Sequence, residues 1–260
     1  MKTIIVVTVL LIGLTQSVNA QPALKGVKDE VTAIALNEQG VEEFQSGEAV
    51  TAIEFFKRAI AINPQFTEAL NNLGVTYNAL GRYDEALIVL ARALKVKPDY
   101  AEAYYDMGFS YLKLQEHAKA VDAFQQAIRL KPDFSEAINS LGVAYDNMGK
   151  RTEAIKAYES AIGSRPGYSE AHNNLGVALT EAGREEEAVK FFLKASEFKP
   201  NWALPLYNLG VSFLQRNDRT SALVQYRMLK SLTDDDSATR LADKLYTGIY
   251  KGKVLVVAKK

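Results

Sequence analysis

The sequence predicts an all-α solenoid, a stack of six helix–turn–helix copies followed by a closing helix. Three columns of residues, all in register, predict it. Glycine recurs every 34 residues, at Gly40, Gly74, Gly108, Gly142, Gly176 and Gly210. Alanine recurs at the same interval, at Ala52, Ala86, Ala120, Ala154, Ala188 and Ala222. Proline does so at Pro64, Pro98, Pro132, Pro166 and Pro200, before Asp234 breaks the column. A period of this length marks a repeat array, in which each copy buries its apolar stripe only against its neighbours. Six copies exceed the roughly three that such an array needs for stability.

Taken in order, residues 1–20 read as a secretory signal peptide. Lys2 supplies the positive start, Ile4–Leu14 the apolar run, and Val18, Asn19 and Ala20 the cleavage-site offsets. The run is well short of the ~20 residues that span a bilayer. Extending it meets Thr15, Gln16 and Ser17, so an uncleaved anchor is the alternative. Cleavage would leave Gln21 first, with no membrane span and an exported protein, periplasmic or secreted. Residues 21–32 form a polar lead-in expected to become helical near Lys28.

The copies follow as 33–66, 67–100, 101–134, 135–168, 169–202 and 203–236. In the second, Leu70, Leu73, Gly74 and Tyr77 fall at i, i+3, i+4 and i+7, the buried stripe of a first helix. Gly81 sits where a left-handed helix end favours glycine. Ala86, Leu87, Leu90, Ala93 and Leu94 form the stripe of a second helix, stopped by Pro98. A glycine inside a helix costs ~1 kcal/mol relative to alanine. Its recurrence at one offset therefore predicts a close helix crossing, with Gly74 set against Ala86. Ala59, Ala93, Ala127, Ala161 and Ala195 are expected to do the same between copies. Asp99 with Glu102, and Asp133 with Glu136, have capping-box spacing.

The repeat pattern decays after Asp236, and Lys244 stands where a seventh glycine belongs. Residues 237–250 place Ala238, Leu241, Ala242, Leu245 and Ile249 on one face, a helix that closes the apolar end of the array. Asp234, Asp235 and Asp236 suit its N-terminus. The 251–260 tail carries β-prone Val254–Val257 with no sheet to join. It is expected either to be a disordered tip or to dock on a neighbouring molecule, which would give self-association.

The period and the order of Leu-Gly, Tyr, Ala, an apolar residue, Ala and Pro resemble the tetratricopeptide repeat (TPR) over residues 33–236. The resemblance implies a right-handed superhelix with first helices lining a concave groove. Copy by copy, it assigns Asn71, Asn72, Asn78, Tyr105, Asp106, Phe109, Lys113, Asn139, Asp146, Asn173, Asn174, Tyr207 and Asn208 to that groove. Asn72, Asn174 and Asn208, two residues before the glycine, resemble the asparagine ladder with which some members hold extended peptide backbone. An amide suits this because it offers a donor and an acceptor to one peptide unit. Glu38, Asp106 and Ser140 interrupt the ladder, and a simple solvated helix face is the other reading. A chaperone-tail subfamily grips acidic peptides with lysine and arginine; the matching column here is the capping glutamates, which excludes that function.

Lys+Arg and Asp+Glu both number 31, so no net field favours nucleic acid. The chain contains no cysteine, which excludes disulfides and thiolate metal sites. His117, assigned to an inter-helix turn, and His172, at a packing position, are too isolated for a metal site. No phosphate loop or nucleophile turn is present, and no two carboxylates are paired for acid–base chemistry. No enzyme and no cofactor are expected. Glu38, Glu68, Glu102, Asp106, Glu136, Asp146, Glu170 and Glu181 face the groove against the single base Lys113, which favours an extended segment bearing Lys or Arg. The expected function is therefore a scaffold or adaptor of the cell envelope that binds a protein or peptide segment. A self-assembling structural protein, or an auxiliary subunit of a secretion or glycan-processing complex, is the alternative.

Overall fold

The computed structural model describes residues 20–232, 235–251 and 254–259, with side chains from residue 25 onward. The signal-peptide reading of 1–20 lies, apart from Ala20, outside the described residues, as does Asp234. Every regular element among the described residues is an α-helix.

The chain divides into two compact units between Leu114 and Gln115, inside the third repeat. The first unit holds α1 (Ala20–Gln45), α2 (Ala49–Ile62), α3 (Thr67–Ala79), α4 (Tyr83–Val96) and α5 (Ala101–Lys113). Helix α1 begins at Ala20, earlier than the Lys28 expected of a polar lead-in. Sequential helices pack as antiparallel neighbours, and α3 also lies directly against α1 and α5. The core is built from Leu36, Phe56, Leu70, Leu73, Leu90 and the alanines Ala52, Ala59, Ala69, Ala86, Ala93 and Ala103.

The second unit holds α6 (His117–Leu130), α7 (Ser135–Asn147), α8 (Arg151–Ser164), α9 (Ser169–Glu181), α10 (Glu185–Phe198), α11 (Ala203–Gln215), α12 (Arg219–Ser231) and α13 (Asp236–Lys251). Sequential helices again pack together, while α9 touches α7 and α13 touches α11. The expected closing helix is thus in place as α13, with Ala238, Leu241, Ala242, Leu245 and Ile249 all buried. Asp235 caps it, its Oδ1 accepting from the backbone N–H groups of Ser237 and Ala238 at 2.7 and 3.1 Å.

The glycine column has the expected steric cause but a different partner. A Cβ on Gly74 would lie 2.6 Å from Leu90, not against Ala86, and on Gly142 it would lie 2.5 Å from Tyr158. The small helix position receives the large residue four places after the alanine, so the crossing is knob against notch. In the sixth repeat the occupant changes: Gly210 faces Leu245 of α13 at 2.5 Å. The short turns inside repeats need a left-handed residue, and φ is +73° at Gly81 and +72° at Gly149. Gln115 and Asn217 take the same conformation, at 62° and 59°, without being glycine.

The capping boxes do not form. The N-cap residues are Phe66, Tyr100, Phe134, Tyr168 and Trp202, none with a side-chain capping bond. The Asp–Glu spacing is right but its phase is one residue early, which leaves Glu136 at the second helical position. Glu136 instead pairs with Arg165, and Glu170 with Lys199 at 3.2 Å. The same cations lie over the N-cap rings, Arg165 on Tyr168 at 4.1 Å and Lys199 on Trp202 at 5.2 Å. Lys97 on Tyr100 and Lys131 on Phe134 complete a Lys/Arg-Pro-x-aromatic signature that the repeat columns do not reveal.

Candidate functional site

The asparagines of the expected groove are not a free, solvated stripe. Asn72 gives its amide N–H to Asn37 Oδ1 at 3.0 Å, Asn174 to Asn139 at 3.1 Å and Asn208 to Asn173 at 3.0 Å. Each bond joins first helices of adjacent repeats, from the position two before one glycine to the position three before the previous one. Asn71, Asn78, Asn139 and Asn173 are buried, which corrects the expectation that they line open surface, while Tyr207 and Asn208 are buried in contact with the chain's own residues 254–259. Burial follows from the close side-by-side packing of first helices, which leaves an amide no water to bond.

In the first unit, Asn78 ties α3 to α5. It donates to the Asp106 carbonyl at 3.0 Å and accepts from Ser110 Oγ at 2.7 Å. Asn71 donates to the Asp106 carboxylate, which is half-buried and close to Glu102. Burial first, and Glu102 second, push Asp106 up to about 7 against the pull of Asn71. The Tyr100 phenol is pushed up to about 12 by burial and then by Glu68, Glu102 and Asp106. Tyr105 and Phe109 are half-buried on the same helix, with Lys113 Nζ 5.2 Å above the Phe109 ring.

In the second unit the face formed by α7, α9 and α11 carries the site, and it is occupied by the chain itself. Residues 254–259 run across it, which differs from the expectation of a disordered tip. Alternation is visible in exposure: Val254 and Val256 are 89% and 72% exposed, whereas Leu255 and Val257 turn inward. Leu255 meets Gly248 and packs with the α11–α13 core, and Val257 joins that core to the α8–α10 cluster.

Asn208 holds both backbone groups of one residue of this segment, Ala258. Its Oδ1 accepts from the Ala258 N–H at 2.7 Å, and its Nδ2 donates to the Ala258 carbonyl at 3.0 Å. The remaining Nδ2 hydrogen goes to Asn173, so both donors are used and the amide is locked in orientation. The buried Tyr207 phenol, kept protonated by a pKa raised through burial, donates to the Val256 carbonyl at 3.3 Å. Each such bond contributes roughly 0.5–1.5 kcal/mol net.

Charge completes the arrangement. Asp146, nearly inaccessible, and Glu181 both pair with Arg151, leaving one uncompensated negative charge. Lys259 neutralises it, its Nζ 3.0 Å from Glu181 and 3.8 Å from Asp146 Oδ2. Tyr158, whose ring fills the Gly142 notch, donates its hydroxyl to Asp146 at 3.3 Å. The acidic face is therefore less anionic than a column count implies, since Glu136 and Glu170 are also paired.

The two histidines take other places. His117 is the first residue of α6 rather than part of the preceding turn. His172 is a buried packing residue that donates from Nε2 to the Pro166 carbonyl at 2.8 Å and lies between Phe191 and Phe198. Among the described residues no group of three or more His, Asp or Glu side chains is placed to hold a metal ion. No described helix is long and apolar enough to cross a membrane.

Two tetratricopeptide repeat profiles match the chain, over residues 66–133 and 139–201. No curated protein matches it. Among solved structures, a crystal structure of MamA is 35% identical, covers 62% of this chain and 94% of its own, and superposes with a TM-score of 0.56. PilF of Pseudomonas aeruginosa is 18% identical over 84% of this chain and 99% of its own, with a TM-score of 0.71. A chain of the APC/C hetero-tetramer Cut9–Hcn1 is 15% identical over 92% of this chain and 51% of its own, also at 0.71. The last two share the fold alone. With helical hairpins, a glycine notch in each described crossing and these matches in hand, the chain belongs to the tetratricopeptide repeat family.

Proposed function

We propose that this protein is a non-enzymatic interaction scaffold that takes an extended, Lys- or Arg-bearing segment of a protein partner on the first-helix face of its repeats. Its place of action, by the same reading, is the cell envelope or beyond, supported by the charged start, apolar run and small-residue end of residues 1–20. The TPR fold supports an interaction scaffold in general. The observation that carries the finer reading is the clamp of Asn208 on both backbone groups of Ala258, beside the pairing of Lys259 with Glu181 and Asp146. Those contacts read backbone and one cation, which are the features an extended basic guest offers.

The test is an array of extended peptides alternating aliphatic residues with Lys or with Glu, read against the intact chain. The reading expects selection of Lys peptides, weaker binding as salt rises, and further loss in Asp106→Lys and Glu181→Lys. Preference for the Glu peptides, or binding that strengthens with salt, would refute it.

A further inference from the structure

We infer that residues 254–259 are a built-in competitor for this face, so that the resting chain is closed and a guest must displace its own segment. The inference rests on the reading above that the face takes an extended basic segment. It also specifies that guest. Leu255 and Val257 turn inward and Lys259, itself exposed, reaches the acidic pair, so a displacing segment carries aliphatic, aliphatic and Lys side chains at alternate positions. Of the aliphatic pair, Leu255 packs on the α11–α13 core and Val257 bridges that core and the α8–α10 cluster. The Lys meets the single uncompensated charge left by Asp146, Glu181 and Arg151. Between Val257 and Lys259, both backbone groups of Ala258 are held by Asn208.

Three features make the segment a competitor rather than part of the core. Its contacts are the ones a separate strand would make: two backbone bonds to one amide, one to a phenol, and an ion pair at a half-exposed lysine. Two of its valines point into solvent and contribute nothing to packing. The segment is also tethered only a few residues after α13, which gives it an effective concentration of order 1 mM. If the free segment binds with a Kd of about 0.1 mM, that tether keeps the face roughly nine-tenths closed and weakens an equivalent guest about tenfold.

The probe is a fluorescent peptide with the chain's own sequence from Lys253 to Lys260, KVLVVAKK. It is titrated into the intact chain and into Ala258→Pro/Lys259→Glu, which removes the N–H that Asn208 accepts and reverses the charge near Glu181. The double variant should bind the probe about tenfold more tightly than the wild type, and adding Asn208→Ala and Glu181→Lys should abolish binding. Equal affinity for wild type and double variant overturns the closed state while leaving the groove reading intact. Absence of binding to both overturns the groove reading and this inference with it. Because the chain has no cysteine, single thiols give a second readout in the full chain. Val257→Cys should react with a thiol reagent at least about tenfold more slowly than Val254→Cys, and equal rates overturn docking. Light scattering should show that the closed chain is a monomer; closure found only in a dimer assigns the segment to a second copy and overturns closure in cis.

Discussion

Gly142 offers the sharpest test of how the repeats are held together. A Cβ at this position would sit 2.5, 2.7 and 3.0 Å from three ring atoms of Tyr158. Carbon atoms in real packing rarely approach closer than about 3.5 Å, so about 1 Å must be found. Tyr158 has little room to give it, being 1% exposed and hydrogen-bonded through its hydroxyl to Asp146. Gly142→Ala recovers about 1 kcal/mol of helix propensity and incurs an overpacking cost of about 1–3 kcal/mol. The rigid, buried ring places it at the upper end. The net expectation is destabilisation by about 1–2 kcal/mol, or roughly 2–8 °C in Tm for a chain of this size. Gly142→Leu should cost more than about 3 kcal/mol, since its Cβ alone already meets the ring and the rest of the side chain must find further room. The assay is thermal and urea unfolding followed by circular dichroism, with the pair Gly142→Ala and Tyr158→Ala completing a double-mutant cycle. Relief of most of the Ala penalty in the double variant is expected. An unchanged Tm for Gly142→Leu, or additive effects in the cycle, would refute the notch-and-ring account.

Asp106 gives a pH dependence of definite sign. Its folded pKa is raised from 3.8 to about 7, so the folded chain holds a proton that the unfolded chain has released, and this group lowers stability as pH rises from about 4 to 7. At about 1.4 kcal/mol per unit the ceiling is about 4 kcal/mol, and partial exposure reduces it to about 2 kcal/mol. Asp106→Asn should therefore unfold at higher urea than wild type at pH 8, the gap closing towards pH 4; a gap independent of pH would refute the assignment. Gln115 holds φ at +62° where four other repeats use glycine, so Gln115→Gly should stabilise by about 1 kcal/mol, measured as a higher urea midpoint. A lower midpoint would show that the side chain contributes more than the backbone strain costs.

The helical hairpins were legible because one pattern is written repeatedly, so propensity, stripe and punctuation agree in every copy. The partner of each glycine was not. Sequence reasoning matched small with small, Gly74 with Ala86, whereas the crossing sets Leu90 into the notch. Spacing suggested capping boxes at Asp99–Glu102 and Asp133–Glu136, but one residue of phase, fixed by where an aromatic N-cap packs, removed them. At the candidate site, Asn208 and Tyr207 were chosen from the family resemblance carried over copy by copy, and in the structure both contact the chain's own residues 256–258. Their partner was illegible because Val254–Val257 reads as a strand without a sheet. Its hydrogen-bonding groups are met by side chains some fifty positions away, which no local window contains. The asparagine pairs hid for the same reason, each partner lying 35 residues distant on the adjacent repeat.

The notch at Gly210 is filled from outside its own repeat, by Leu245. That makes α11, α12 and α13 one indivisible block rather than a repeat followed by a lid. Anyone trimming or splicing this array can cut between earlier hairpins, where Gly40, Gly74, Gly142 and Gly176 each meet a ring or leucine supplied by the same hairpin. Severing α13 would instead leave an empty notch on α11 and take away the anchor from which residues 254–259 are hung. Modularity, often assumed to run the length of such proteins, stops here one hairpin short.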